Sequence, residues 1–102
     1  MALPKLDKIT GFEWDQANIV HIAKHDVSAK EAEEVFFDND NVQDEDLEHS
    51  TTEERFLIIG KTKKGRILYQ IYTIREDKIR VVSSRGINKK EVKLYEKETS
   101  SS

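Results

Sequence analysis

Arginine side chains carry the strongest chemical signal in this sequence of 102 residues. Arg66, Arg75, Arg80 and Arg85 all lie at or beside two stretches that are typical of β-strands. A guanidinium group is planar, permanently charged and able to bind two oxygens at once, so it suits phosphate oxygens. These four residues point to an anion-binding surface on the second half of the chain.

The spacing of Arg80 and Arg85 limits how the two can act together. Alternate residues of a strand point to opposite faces, which puts Arg80 and Arg85 on different faces of their strand. We therefore expect them to share a site only if the strand bulges or ends between Ser83 and Gly86. The alternative is that Arg80 forms a structural ion pair with an acidic residue such as Glu54.

His25 is the best single candidate for acid–base chemistry, since the imidazole group changes its protonation state near neutral pH. It follows Lys24 at the expected end of the first helix, where a cation also interacts favourably with the helix dipole. The alternative is a histidine that only caps the helix.

Metal binding and serine chemistry are weaker interpretations. His21 and His25 have the i, i+4 spacing of a helical ligand pair, but the chain has no cysteine and no third ligand nearby, so we expect no metal and no other cofactor. His49 and Ser50 resemble a base–nucleophile pair. Because adjacent residues of an extended chain point apart, we expect these two only to anchor a loop.

Charge divides the chain into an acidic and a basic half. Residues 1–52 hold four Lys/Arg against 13 Asp/Glu, a net charge of −9, and residues 53–97 hold 13 against six, a net charge of +7. A basic half of this kind indicates an anionic partner, most often a nucleic acid. It is equally consistent with the two halves attracting each other.

Local signals in the first half predict a short strand over 11–14 and two helices. Asp15 is a good N-cap for a helix over 16–25. Ser28 and Glu31 form a capping-box signature for a second helix, which should end in the turn-favouring residues 38–40.

The second half predicts a sheet followed by a closing helix. Residues 42–52 are expected to be a loop with at most a short edge strand, and three clear strands are predicted over 55–61, 66–75 and 79–84. Asn88 and Glu91 then predict a final helix to about residue 97. The fold class is α+β: two N-terminal helices, an antiparallel meander of three to four strands, and a C-terminal helix.

Length and composition allow one small domain. We expect a flexible lead-in over 1–10, a single domain over 11–98 and a disordered tail over 99–102. No apolar run is long enough to span a membrane, and the N-terminus lacks the apolar core of a secretory signal. We therefore expect a cytoplasmic protein with no membrane partner.

Three blocks of the sequence, taken in order, resemble a known family. The first is FEWD at 12–15, KH at 24–25, VS at 27–28, EA at 31–32 and VF at 35–36. The second is Asp46, His49, Ser50, Glu54-Arg55-Phe56, Ile59-Gly60, Gly65-Arg66, Leu68 and Tyr72-Thr73. The third is Arg80, Val81-Val82-Ser83, Arg85, Glu91 and Tyr95. In this order and spacing the blocks resemble the BrnT-type toxins of bacterial type II toxin–antitoxin systems.

The resemblance implies a RelE-like ribonuclease fold and an RNA-cleaving toxin that inhibits translation and growth. It also implies a neutralising antitoxin partner with a ribbon-helix-helix fold, BrnA-like, and leaves a homodimer within the toxin–antitoxin complex open. Asp26 stands at a position where members usually have glycine. A non-catalytic module that binds nucleic acid or protein is the alternative function, because fold alone does not fix activity.

Cleavage of RNA without a metal needs a group that accepts the 2′-hydroxyl proton, cations for the charged phosphorus centre and an acid for the leaving oxygen. The catalytic candidates are Arg80, Arg85, His25, Glu54 and Tyr72. Glu54 is either a base or an orienter of an arginine, and Tyr72 either contacts RNA or is a core tyrosine. The candidates for RNA binding are Lys24, Lys63, Lys64, Arg66, Arg75 and Lys89.

Overall fold

Reciprocal helix caps explain where the first two helices begin. The computed structural model describes residues 9–46 and 53–100, with side chains described as far as Glu96. Helix α1 is Gln16–Ala23, and Asp15 and Asn18 exchange side-chain hydrogen bonds with each other's backbone N–H. Helix α2 is Ala29–Val35, with the same exchange between Ser28 and Glu31. Both predicted starts are confirmed.

Both helices end earlier than the sequence pattern predicted. Helix α1 stops at Ala23, and Asp26 in the following turn has a φ of +59°, in the left-handed region that glycine adopts most easily. Helix α2 stops at Val35 and is followed by a turn at Phe36 and Phe37. Local capping signals at the C-terminal ends were too weak to fix these boundaries.

The sheet has five strands, not the predicted three to four, and is mixed rather than purely antiparallel. The strands are β1 (Gly11–Phe12), β2 (Val42–Glu45), β3 (Phe56–Lys61), β4 (Ile67–Arg75) and β5 (Lys78–Gly86), followed by helix α3 (Lys89–Ser100). Their order is β1-β5-β4-β3-β2. The predicted antiparallel meander is present as β2 to β5, but β1 pairs in parallel with β5.

The sequence predicted the short strand β1, but its parallel pairing with β5 was missed because the partner is remote in sequence. Strand β1 contributes two residues, whose partners Lys78 and Ile79 lie 67 positions further along the chain. The flanking N–H groups of Thr10 and Glu13 donate to the carbonyls of Asp77 and Ile79 at 2.8 Å. Residue periodicity reveals a strand but not which strand it pairs with.

One face of the sheet carries the main core beneath α1 and α2. The helices contribute Ile22, Val27, Ala32 and Val35, and the strands contribute Phe56, Ile58, Leu68, Tyr72, Ile79 and Val81. A buried polar chain crosses this core: Ser84 Oγ donates to Gln70 at 2.7 Å, and Gln70 Nε2 donates to the Ala32 carbonyl at 3.1 Å. Because these buried polar groups are hydrogen-bonded to one another, the connection from Ser84 through Gln70 to Ala32 holds α2 against the sheet.

A β-bulge in β5 reverses which residues point to each face. Tyr72 of β4 is opposite Val81, but Ile71 is opposite Ser83, so Val82 has no partner of its own on β4. Residues directly opposite each other in an antiparallel pair point to the same face. Beyond the bulge, Ser84 therefore points into the core with Gln70, whereas Arg85 points to the other face with Tyr69.

Helix α3 follows β5 and returns toward the end of α2. The Tyr95 hydroxyl donates to Asp38 Oδ2 at 2.7 Å, and Asp38 also accepts the Lys61 N–H at 2.8 Å. Burial alone would raise the pKa of Asp38, but these hydrogen bonds hold it below its ordinary value. The helix continues to Ser100, beyond the predicted end at 97.

Among the described residues, no helix is long and apolar enough to cross a membrane. At the start of the described chain, Ile9 packs against the core, so contacts with the fold begin inside the predicted lead-in over 1–10. The predicted loop-anchoring pair, His49 and Ser50, lies outside the described residues.

Gly60 is the glycine at which a side chain is excluded by close packing. A Cβ there would lie 2.8 Å from both Cγ1 and the carbonyl oxygen of Val35, whereas a Cβ at Gly86 would meet nothing within 4 Å. We expect Gly60→Ala to lower the free energy of unfolding by about 1–3 kcal/mol, the usual cost of overpacking. Gly86→Ala is the matched control, with an expected change below about 0.5 kcal/mol.

Urea unfolding followed by Trp14 fluorescence measures both variants, because Trp14 is the only tryptophan and packs against the core. Equal stability of the two variants would contradict the packing of α2 directly on β3.

Candidate functional site

The bulge brings Arg80 and Arg85 to the same face of the sheet. Arg80 is opposite Thr73 and Arg85 is opposite Tyr69, and Thr73 and Tyr69 share a face of the regular strand β4. Strict alternation along the sequence put the two arginines on opposite faces unless the strand bulged or ended between Ser83 and Gly86. The strand does bulge, but at Val82, just before that range. We call this side, away from the main core, the open face.

Helix α1 lines the side of the open face along β5. Asn18, almost fully buried, donates from Nδ2 to the Glu13 carbonyl at 3.0 Å and to the Val81 carbonyl, next to the bulge, at 3.4 Å. These two hydrogen bonds hold α1 beside β5, along the part of β5 that follows its pairing with β1. As a result, His21 and His25 each line a depression that the arginines of the open face also line.

The first of these, the Arg80 depression, is a hollow of about 290 Å³ that includes His21, Arg55, Arg75, Arg80 and Val82. Arg80 Nη1 donates to Glu13 at 3.0 Å and to Asp15 Oδ2 at 2.9 Å, and Nη2 donates to Asp15 Oδ1 at 3.3 Å. Its side chain is only 13% exposed. Arg80 is therefore held between two carboxylates of the first half of the chain.

The ion pair shifts the pKa of both partners. The hydrogen bond from Arg80, supported by the Asn18 N–H, holds the pKa of Asp15 below its ordinary value. The same bond raises the pKa of Arg80. Since Asp15 also caps α1, one carboxylate joins the start of the helix to the sheet.

Arg75 and Arg55 share a second carboxylate at the rim of the Arg80 depression. Arg75 pairs with Glu53 at 3.3 Å and with Glu13 at 3.7 Å, and Arg55 lies 3.9 Å from Glu53. The Arg75 side chain is 48% exposed. Arg75, a predicted RNA-binding residue, is thus on the open face and accessible.

The second hollow, the Arg85 depression, has a volume of about 390 Å³ and is lined by His25, Tyr69, Ile71, Ser83, Ser84 and Arg85. The Arg85 guanidinium stacks over the Tyr69 ring at 4.3 Å and forms a two-pronged ion pair with Glu91 at 2.8 Å. Its side chain is 40% exposed. The structure therefore brings two predicted catalytic residues, His25 and Arg85, into one accessible hollow.

Tyr72 is a core residue, which corrects its assignment as an RNA contact. It is fully buried, packs edge-on against Phe36 at 5.0 Å and donates from its hydroxyl to Gln43 at 3.0 Å. Burial raises its pKa well above the ordinary value. A tyrosine inside the helix-covered core cannot stack on a base, and the alternative interpretation of Tyr72 holds.

Glu54 does not hold Arg80, contrary to the ion pair suggested from the sequence. Its described contact is through the backbone, where its carbonyl accepts the Thr73 hydroxyl at 2.7 Å. The partners of Arg80 are Glu13 and Asp15, from the first half of the chain. Closeness in sequence to the strand arginines was a poor guide, because the sheet brings remote segments together.

Arg66 stabilises the turn between α1 and α2. Its guanidinium donates to the carbonyls of His25, at 3.1 Å, and of Asp26, and pairs with Glu31 at 3.5 Å. These contacts satisfy carbonyls exposed after the end of α1. Arg66 thereby also fixes the backbone of His25.

The predicted RNA-binding lysines are exposed but do not line either hollow of the open face. Lys24 caps the end of α1, Lys89 begins α3, and Lys63 and Lys64 form the turn between β3 and β4. A larger depression of about 610 Å³ beside α2 includes Lys63 but no arginine or histidine. Its size alone does not make it a site for phosphate chemistry.

The ion pairs support both interpretations of the divided charge. Arg80 and Arg75 pair with Glu13, and Arg66 pairs with Glu31, so the two halves do attract each other. Arg85, by contrast, pairs with Glu91 of its own half and stays accessible. Within the described ranges, no three His, Cys, Asp or Glu side chains are grouped closely enough to hold a metal ion.

Sequence reasoning missed Tyr69, Glu91 and the acidic partners of Arg80 as site residues. The pattern of an arginine three residues beyond a bulge leaves no local trace, but Asn88 and Glu91 already formed a capping pair in the sequence. Because that pair fixes Glu91 at the start of α3, close to the end of β5, it could have suggested the contact with Arg85.

Comparison with protein families gives one match, over residues 14–91: the ribonuclease toxin BrnT of a type II toxin–antitoxin system. The chain therefore belongs to the BrnT toxin family, as the three sequence blocks predicted. No curated protein matches the chain.

The Arg80 ion pair predicts a loss of stability when it is broken. We expect Arg80→Gln to lower the free energy of unfolding at pH 7 by more than Arg75→Gln does, because the largely buried Arg80 guanidinium joins the start of α1 to β5. Arg75→Gln is the matched control, since Arg75 shares Glu13 but is half-exposed, and should cost less than about 1 kcal/mol.

The same variants predict a pH dependence. Because the folded-state pKa of Asp15 is lowered, its contribution is present above the ordinary value of about 3.9 and is lost as pH falls through the folded value. Urea unfolding from pH 7 to pH 3 should therefore show the difference between wild type and Arg80→Gln shrinking with falling pH. A constant difference would contradict the ion pair as the cause.

Proposed function

We propose that this BrnT-family chain is an endoribonuclease whose reaction takes place in the Arg85 depression. The observation that carries the proposal is that an accessible arginine and an accessible histidine line one hollow of the open face. Family membership supports the ribonuclease activity. Arg85 and His25 are the two residues to which we assign contact with the reacting atoms.

The proposed reaction uses the 2′-hydroxyl of the RNA as the nucleophile. The 2′-oxygen bonds to the adjacent phosphorus, the bond from phosphorus to the 5′-oxygen breaks, and the products are a 2′,3′-cyclic phosphate and a 5′-hydroxyl. One proton leaves the 2′-oxygen and one reaches the 5′-oxygen. We assign one of these two proton transfers to His25 and the other to solvent water, and we assign stabilisation of the charged phosphate oxygens to Arg85, with no metal ion.

We propose a positioning role for Arg80 rather than a catalytic one. Two carboxylates already occupy its guanidinium, and its side chain is largely buried. Its pairing with Asp15 holds the start of α1 against β5. The position of His25 at the other end of this helix then depends on Arg80, so loss of Arg80 acts on the site through the fold.

RNA is proposed to cross the open face, with exposed cations adding affinity that does not depend on sequence. Arg75 contacts the RNA on one side of the Arg85 depression, and Lys24 and Lys89 contact the RNA on the other side. Lys63 and Lys64 lie on the β3–β4 turn, where they add to the surrounding positive charge. Arg66 is not among the residues proposed to bind RNA, because its guanidinium donates to carbonyls of the turn after α1.

The proposed protein partner is a ribbon-helix-helix antitoxin, BrnA-like, that neutralises the toxin. The family's membership of type II toxin–antitoxin systems supports an antitoxin partner.

The proposal predicts RNA cleavage that persists in excess EDTA. We expect labelled RNA to yield a 2′,3′-cyclic phosphate, and the same strand with 2′-deoxyribose at the cut to stay intact. His25→Gln should slow cleavage by roughly 100-fold or more, the usual effect of removing an acid–base group. His21→Gln is the matched control, since His21 is exposed on the same helix but lines the Arg80 depression, and should change the rate less than about threefold.

Three results would contradict the proposal. RNA that binds but stays intact would indicate the non-catalytic binding module. Loss of cleavage in EDTA would contradict a metal-free reaction. Equal losses in His21→Gln and His25→Gln, with both variants folded by circular dichroism, would contradict the placement of the chemistry in the Arg85 depression.

A further inference from the structure

The ion pair between Arg85 and Glu91 uses only one edge of the guanidinium. Glu91 Oε1 accepts from Nη1 and Oε2 accepts from Nη2, each at 2.8 Å, and Nη1 also donates to the Gly86 carbonyl at 3.2 Å. These contacts take three of the five N–H groups of an arginine. They all lie on the end of the guanidinium or on the Nη1 side.

The opposite edge of Arg85 is open in the described part of the chain. The Nε–H and the second N–H of Nη2 donate to no partner there, and together they form the side-on fork that can bind two oxygens of a carboxylate or phosphate. The Tyr69 ring lies against the plane of the guanidinium, 4.3 Å from its carbon, and so does not compete for its edges. The side chain is 40% exposed.

Glu91 itself is fixed at the first turn of α3. Its Oε1 accepts the Asn88 N–H at 3.0 Å, and its own N–H donates to Asn88 Oδ1 at 2.9 Å. Its side chain is 15% exposed, and the hydrogen bond from Arg85 lowers its pKa, so it is ionised near neutral pH. A rigid carboxylate on a helix is thus matched to a rigid arginine at the end of β5.

We propose that Glu91 is a positioning residue: it holds Arg85 by the end-on edge so that the side-on edge binds a non-bridging oxygen pair of the RNA phosphate. This inference rests on the proposed function, because it gives Arg85 the phosphate. If the Arg85 side chain rotated freely, its side-on edge would point toward the phosphate for only part of the time. Glu91 and Tyr69 together remove that rotation before RNA arrives.

The alternative is that Glu91 occupies the place of the phosphate and must leave before RNA binds. The two alternatives predict opposite effects of removing the carboxylate. Positioning predicts a slower reaction without Glu91, whereas blocking predicts a faster one or tighter binding that raises kcat/KM.

The test compares Glu91→Gln with Asn88→Ala in RNA cleavage. Glutamine keeps the size and the helix-capping ability of Glu91 but not its charge. We expect Glu91→Gln to lower kcat at least tenfold, because Arg85 loses the charged group that holds it in place. KM should be unchanged or lower, because a negative charge beside the phosphate is removed. Asn88→Ala weakens the cap of α3 but leaves the carboxylate, and should change kcat less than threefold.

A binding measurement separates this inference from the proposed function. The NMR signal of the Arg85 Nε–H is followed while an uncleavable 2′-deoxy oligonucleotide is added to wild type and to Glu91→Gln. We expect a saturable shift of one sharp signal in wild type, and a broadened signal without a defined bound position in Glu91→Gln. This result would support positioning even if wild type failed to cleave RNA.

Three outcomes would overturn the proposal. A rise of kcat/KM by more than about threefold in Glu91→Gln would show that the carboxylate blocks the phosphate. An equal loss of kcat in Asn88→Ala and Glu91→Gln would show that Glu91 acts through the stability of α3. An Arg85 Nε–H signal unmoved by the oligonucleotide in wild type would contradict the open edge as a phosphate site.

Discussion

The bulge of β5 at Val82 is the constraint on which the arrangement of this protein depends. Before the bulge, Val81 points into the core and Arg80 points away from it; after the bulge, Ser84 points inward and Arg85 outward. One extra residue thus serves two needs. It completes the buried chain from Ser84 through Gln70 to α2, and it sets a second arginine on the open face.

The bulge also provides the attachment point for α1. The Val81 carbonyl accepts from Asn18, and Arg80 on the preceding position pairs with Asp15 at the helix start. These two contacts join the acidic first half of the chain to the basic second half. Their effect on the proposed function is indirect, because they place the His25 end of α1 beside Arg85. The divided charge of the sequence therefore reflects internal attraction between the halves, and we propose that the accessible arginines of the second half also bind the RNA.

The features that could be predicted from the sequence are those made by neighbours in the chain. The caps at Asp15, Ser28 and Asn88 depend on residues three apart, so they could be recognised directly. The strands of the meander follow one another, so period-2 alternation and the turn signals sufficed to find them. The family resemblance rests on the same kind of local blocks, and the family match confirms it.

The features that could not be predicted depend on contacts between remote segments. The pairing of β1 with β5, the acidic partners of Arg80 and the anchoring role of Arg66 each join positions about 40 or more residues apart. Tyr72 was ambiguous because burial, which decides between a core and a surface tyrosine, is a property of the whole fold. The alternation rule misplaced Arg85 relative to Arg80, since an unpaired residue leaves no signal in the pattern of side chains.

The register of β4 and β5 is the most direct test of this account. Backbone cross-strand NOEs in the wild-type protein measure it without any substitution. The bulge predicts contacts between Ile71 and Ser83 and between Tyr69 and Arg85, with Thr73 opposite Arg80 as an internal reference. Contacts of Ile71 with Val82 and of Tyr69 with Ser84 would indicate an unbroken ladder. Arg80 and Arg85 would then lie on opposite faces, and the proposed site would not exist.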